Sequence, residues 1–260
     1  STVARRISEG DFSARFANPG RDELGQMGEA MNQVADRLNA ALAESERARE
    51  AQRRFVADAA HELRTPVSAL VASATALEDP TTREAAASKV VPELRRLASL
   101  TENLLEISRL DAGHVLLATE WVDLHDLARE TVSDFPGVAL RGEPAKAITD
   151  PVRVRSILSE LLTNATRYGA SPIVVSTSRV GRSDLIEVTD AGSGVPEDLI
   201  DKVFDRFVQA DSSRHGPGTG LGLAIARQNA ELLGGRLELD ADRHTFRLTL
   251  PSGPAPAASG

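Results

Sequence analysis

The amino-acid sequence predicts an α+β chain. A coiled-coil N-terminal segment leads into a dimeric helical hairpin, and an α/β sandwich follows. Three observations carry this reading. Apolar residues recur at alternating spacings of three and four along a long helix starting near Asp22. Two further amphipathic stripes flank the breaker Asp79-Pro80-Thr81. From Trp121 onward, short β-rich runs alternate with helices.

The elements follow in order. Residues 1–20 close one helix and enter a connector through Asn-Pro-Gly at 18–20. Leu24, Met27, Met31, Val34, Leu38 and Ala41 then form the seam; Ser45, Ala48 and Gln52 weaken it before Phe55 and Val56 restore it. The first hairpin helix runs to about Leu77, and the second spans roughly Arg83 to Leu110 with a stripe of Val90, Leu94, Leu97, Thr101, Leu104 and Ser108. Two such helices cannot bury both stripes alone, which predicts a homodimeric four-helix bundle. Strands are expected at 137–141, 146–149, 172–178, 184–190, 236–240 and 244–250. Helices fit 123–134, 151–167, 196–201 and 220–233. The expected division is 1–46, 47–113 and 114–251, with a disordered tail at 252–260 that is too rich in Pro, Ala, Ser and Gly to bury anything.

Composition narrows the function. The chain has 260 residues, a net charge of −8, 26% charged and only 3% aromatic residues. The acidic balance argues against nucleic acid as a main partner. The lack of cysteine removes disulfides, thiolate zinc sites and cysteine nucleophiles together. Five scattered histidines give no transition-metal spacing; His114, His125 and His244 read as surface or edge residues. No run approaches the roughly 20 apolar residues that cross a bilayer. Ser1 is not an initiator methionine, so the chain reads as an excised cytoplasmic piece.

The most informative stretch is Phe55-Val-Ala-Asp-Ala-Ala-His61-Glu62-Leu-Arg64-Thr65-Pro66. Residues four apart share a helix face, so the Thr65 hydroxyl lies beside the His61 ring. Pro66 cannot donate to the carbonyl of residue 62 and its ring crowds that turn, which predicts a kink. An imidazole, a carboxylate and a hydroxyl are thereby grouped at a built-in hinge. The stretch resembles the H-box of sensor histidine kinases, the membrane-linked half of two-component signalling. The resemblance implies that His61 is the phosphoacceptor. Glu62 then fixes the ring tautomer, Thr65 aligns a water for phosphatase action, and Arg64 completes the catalytic set.

Four boxes follow. Glu160-Leu-Leu-Thr-Asn164-Ala-Thr-Arg167-Tyr168 resembles the family's N-box and Asp190-Ala-Gly192-Ser-Gly194 its first Gly box. Phe204-Asp-Arg-Phe207 resembles the F-box, and Gly218-Thr219-Gly220-Leu221-Gly222 the second Gly box. These imply the Bergerat or GHKL fold shared with the gyrase, Hsp90 and MutL ATPases, binding ATP with Mg2+. Glu160, Asn164 and Arg167 share one helix face, with Asn164 and Glu160 as the magnesium ligands and Arg167 facing phosphate. Asp190 would accept from the exocyclic amine of adenine, which guanine lacks. Gly218, Gly220 and Gly222 precede a helix, and bare amides at a helix N-terminus suit phosphate. Residues 208–219 read as a mobile lid, anchored by Phe204 and Phe207, from which Arg214 and His215 could reach the terminal phosphates. Tyr168, Thr219 and Leu221 complete the expected nucleotide contacts. Most of the family has Asn where Glu160 stands; a glutamate there resembles the ATP-hydrolysing relatives.

Glu-Gly-Asp-Phe at 9–12 and Asp-Glu-Leu-Gly at 22–25 resemble the second half of a HAMP linker. Together the resemblances imply the cytoplasmic part of an inner or plasma-membrane sensor kinase. It would autophosphorylate His61, pass the phosphoryl group to the receiver domain of a response regulator, and act as its phosphatase. Membrane contact would come only through upstream transmembrane segments absent here. A nucleotide-regulated scaffold or phosphatase without kinase activity, and a plain ATPase supported by Glu160, are the alternatives.

Overall fold

The computed structural model describes residues 5–6, 14–16, 23–113, 115–209, 218–240 and 244–252. The chain divides into two units, Ser1–His61 and Glu62–Gly260. The long helix α1 (Glu23–Ala76) passes through the boundary.

In the first unit the connector at 14–16 is tied to α1. Asn32 accepts from the Phe16 amide at 2.9 Å and donates back to the Phe16 carbonyl at 3.3 Å. Arg15 pairs with Asp36. Ala14 and Ala35 are buried. The seam residues Met27, Val34 and Leu38 are exposed in the single chain. The connector thus covers a face of α1 adjoining the apolar stripe. Residues 9–12 lie outside the described part, as do the side chain of Leu24 and residue His114.

Helix α1 continues through Pro66 to Ala76, where the sequence predicts a disturbed turn. Proline removes one donor, that to the Glu62 carbonyl, and Pro66 is itself buried, so packing offsets the loss. Asp79 then closes the hairpin by accepting from the Thr81 amide at 2.8 Å and the Thr81 hydroxyl at 2.7 Å. Helix α2 follows (Arg83–Asp111). Its most buried large residues are Leu100 and Ile107, which the expected stripe does not contain. The reason is a second face: beyond residue 100 the helix also packs against the sandwich.

The sandwich begins with β1 (Glu120–Asp123), a strand the sequence reading lacks, paired antiparallel with β3 (Lys146–Thr149). At four residues it is too short for a period to emerge. Helix α3 (Leu124–Val132) lies between β1 and β2 (Val138–Gly142). Helix α4 (Pro151–Tyr168) follows β3, and its start is strongly specified. Asp150 caps it, accepting from the amides of Val152 and Arg153 at 3.0 and 3.2 Å, with Pro151 in the first turn. Strands β4 (Ile173–Val180) and β5 (Ser183–Thr189) form a hairpin. A 3-10 turn covers Glu197–Lys202 where a helix is expected. Helix α5 (Gly222–Leu232), β6 (Arg236–Leu239) and β7 (Thr245–Pro251) complete the unit.

The five-stranded sheet has the order β2-β4-β5-β7-β6. Only the β2–β4 pair is parallel. Strict alternation along β5 turns Asp184, Ile186 and Val188 inward. Leu158, Leu161 and Leu162 of α4 join Ile186, Leu248 and Leu250 in one core. Because α4 carries Glu160, Asn164 and Arg167 on its other side, this core holds the functional face in place. Leu161 is fully buried. Leu161→Ala is expected to cost about 2–5 kcal/mol, the usual range for such a cavity, read from urea unfolding. No helix among the described residues is long and apolar enough to cross a membrane.

Candidate nucleotide site and phosphoacceptor helix

A cavity of about 270 Å³ opens between the C-terminal half of α4, the exit of β5 and the entry to α5. Glu160, Asn164, Arg167 and Tyr168 reach it from α4, Asp190 and Gly194 from the β5 exit, and Gly218, Thr219, Gly220 and Gly222 from the loop before α5. The boxes, far apart in sequence, therefore meet at one place. Thr163, Ser193 and Gln209 also line it, and the sequence reading misses them. Polar residues of this kind have no periodic signal; only the helix register of Thr163, beside Asn164, hints at it.

Asp190 is held rigidly. Its Oδ1 accepts from the Gly192 amide at 2.7 Å and the Ala170 amide at 3.4 Å. Gly192 thus stands behind the carboxylate instead of lining the cavity. A side chain at Gly169 would collide with the Asp190 carboxylate, so that position needs glycine too. Leu221, expected among the nucleotide contacts, is fully buried and does not line the cavity. Phe207 supports the wall: its backbone, at φ 63°, donates to the Gly220 carbonyl at 2.7 Å. Gly220 answers with φ +67° and leaves no room for a Cβ against that backbone. Phe204 packs edge-on against Phe246, with Arg227 over its ring. Arg214, His215 and most of the expected lid fall outside the described residues.

The entry to α5 is crowded by α4. A Cβ on Gly218 would strike the Tyr168 hydroxyl, and one on Gly222 would strike Glu160 Oε2. The Glu160 carboxylate therefore lies against the first residue of α5, where helix amides point outward. Burial pushes its carboxyl above the usual carboxylate range, against the opposing pull of Arg167.

On α1, His61, Arg64 and Thr65 are exposed. Glu62 is half-buried, with Oε2 3.9 Å from Arg96 of α2. The hairpin thus sets this carboxylate beside a cation.

Three families match the chain in succession. Residues 1–40 match the HAMP domain. Residues 51–113 match the His Kinase A (phospho-acceptor) domain. Residues 149–254 match the histidine kinase-, DNA gyrase B- and HSP90-like ATPase. Over 98% of its length the chain is 39% identical to the signal transduction histidine-protein kinase AfsQ2 of Streptomyces coelicolor, covering 52% of that protein. It is 34% identical over 96% of its length to the sensor histidine kinase MtrB of Mycobacterium tuberculosis, covering 48% of that protein.

The chain belongs to the sensor histidine kinases.

This kinase chain spans about half the length of the curated relatives it matches. Among solved structures it shares its fold with the Acinetobacter baumannii histidine kinase AdeS, at TM-score 0.62 and 21% identity over 75% of this chain and 98% of that one. Full-length ShkA in complex with AMPPNP gives TM-score 0.57 and 25% identity over 76% of this chain and 45% of that one.

Proposed function

We propose that the chain is an ATP-dependent protein-histidine kinase that phosphorylates His61 and passes the phosphoryl group to an aspartate of a response-regulator receiver domain. The observation that carries the reading is the convergence of Asn164, Asp190 and the Gly218–Gly222 loop on one cavity, in a chain that also carries an exposed His61.

Asp190 accepts from the exocyclic amine of adenine through the oxygen not committed to Gly192 and Ala170. The amides at the start of α5 receive phosphate oxygens, and Arg167 adds charge. The donor set fits magnesium. Glu160 and Asn164 supply hard oxygens one helical turn apart, and magnesium on a nucleotide ordinarily needs only one or two protein ligands beside the phosphates. When bound, the ion neutralises phosphate charge. In the transfer step, a neutral ring nitrogen of His61 attacks the γ-phosphorus. The N–P bond forms as the bond to the bridging oxygen breaks, and ADP leaves with the electron pair. Glu62 holds the opposite ring N–H and balances the positive charge that develops.

The phosphoramidate is a high-energy donor for the regulator's carboxylate. Thr65, one turn along, aligns a water against the regulator's acyl phosphate in the reverse, phosphatase direction. The exposed Val67, Val71, Val91 and Leu94 support homodimerisation through a four-helix bundle. The HAMP match supports placement on the cytoplasmic side of a membrane protein. ShkA's complex with AMPPNP, an ATP analogue, supports the nucleotide. The test is incubation with γ-labelled Mg-ATP. Protein-bound label that is acid-labile and base-stable is expected; free phosphate alone, or no label at all, rejects the kinase reading.

Glu160 favours ATP hydrolysis as a side activity. A carboxylate held against the α5 entry, with raised proton affinity, is suited to accept a proton from water. Glu160→Asn is expected to lower ADP release in excess of phosphohistidine by on the order of 100-fold, the scale of a lost general base. An unchanged excess assigns Glu160 to metal binding alone.

A further inference from the structure

The second face of α2 meets the sandwich through an apolar centre and a polar rim. Leu100 and Ile107 are buried at the centre. On the rim, Asp111 accepts from Arg206 at 2.9 and 2.6 Å and from Gln228 at 3.1 Å. Burial raises the Asp111 carboxyl, and these hydrogen bonds outweigh it and hold it below the usual range. Arg153 bridges Glu106 and the fully buried Asn229. The third rim contact is Asn103 Nδ2, which donates to Thr219 Oγ1 at 3.1 Å.

Thr219 is where this face reaches the nucleotide cavity. Its hydroxyl oxygen also accepts from the Leu221 amide, at 3.4 Å. That amide stands at the mouth of α5 and is one of the donors suited to phosphate. A hydroxyl at this distance is a weak acceptor; a phosphate oxygen is a strong one.

We propose that Asn103 is a positioning residue for the Gly loop: by holding the Thr219 hydroxyl on the Leu221 amide, the docked helix competes with the nucleotide's phosphates for that amide. The inference rests on the nucleotide reading of the cavity. Docking of α2 and binding of phosphate then oppose each other, and by linkage the factor is the same in both directions. One neutral hydrogen bond sets its size at about three- to tenfold.

The test is calorimetric titration of the 260-residue chain with MgADP and, separately, with adenosine. Asn103→Ala is expected to tighten MgADP about three- to tenfold and to leave adenosine unchanged, because only the phosphates meet the Leu221 amide. Asp111→Asn loosens the same docked face from its far end and is expected to shift MgADP in the same direction. A merely structural Asn103 would weaken both ligands together. MgADP affinity that is unchanged or weaker in both variants, or an equal change for adenosine, overturns the positioning role alone. Wild-type chain that binds neither ligand overturns the nucleotide reading and this inference with it.

Discussion

His61→Gln is expected to abolish transfer of label from γ-labelled ATP to the protein while leaving nucleotide affinity at the wild-type value. Glutamine keeps the polarity of the side chain and its ability to hydrogen-bond, but its amide nitrogen has a delocalised lone pair and is no nucleophile. The substitution removes the acceptor atom. His61 is exposed on a helix, so stability should move by no more than about 0.5 kcal/mol. Glutamine is also among the better helix formers. The cavity draws its walls from residues between Glu160 and Phe246, so its affinity is independent of residue 61. Two measurements on one preparation check this: acid-labile, base-stable label on the protein, and a titration with MgADP. Label retained at the wild-type level would place the acceptor elsewhere on the chain. Label lost together with nucleotide binding would mean that the substitution acts through folding.

How much was legible in the sequence follows from where the physical signal lies. Burial is periodic, so it writes itself into residue order. Strand β5 alternates strictly, and α4 opens on Asp150-Pro151, a capping pair with one structural meaning. Those elements emerge within a residue or two of their observed bounds. Strand β1 does not, because its four residues, two exposed followed by two partly covered, carry no alternation. The site divides in the same way. Asn164, Asp190 and the Gly218–Gly222 loop are legible because backbone approach demands glycine at fixed offsets from polar groups. Gly169 is not, since its need comes from Asp190, which arrives from a different strand.

The docked face of α2 was the hardest to see. Helical spacing assigns one stripe per helix, and Val90, Leu94 and Leu97 satisfy that expectation. Leu100 and Ile107 serve a second neighbour, and nothing local distinguishes them from residues of the first stripe. Asn103, Glu106 and Asp111 read as an ordinary solvated edge until Thr219, Arg153 and Arg206 are brought against them. Polar contacts across 47 to 117 residues of sequence separation have no local signature.

Asp190→Asn is expected to weaken ATP about 10- to 100-fold and to remove most of the preference over GTP. The change is nearly isosteric and alters one contact. The carbonyl oxygen of asparagine can take over from Oδ1, accepting from Gly192 and Ala170, so the turn that Gly169 and Gly192 pack against survives. The amide nitrogen then occupies the place of the other carboxylate oxygen. A donor there faces the exocyclic amine of adenine, also a donor, and a contact to a charged acceptor becomes an unpaired one. Hydrogen bonds to charged groups contribute about 1.5–3 kcal/mol, which sets the tenfold lower bound and the hundredfold upper one. Guanine presents a carbonyl at the same edge, so the new donor suits it better than the old carboxylate did. Competition binding with ATP and GTP on wild type and variant reads both effects. Asp190→Ala serves as the contrast: it leaves the Gly192 and Ala170 amides without their acceptor and should lower stability as well as affinity, whereas Asp190→Asn should lower affinity alone. ATP affinity within about twofold of wild type in Asp190→Asn would remove the carboxylate from base recognition and leave it a structural brace for the loop between β5 and the 3-10 turn.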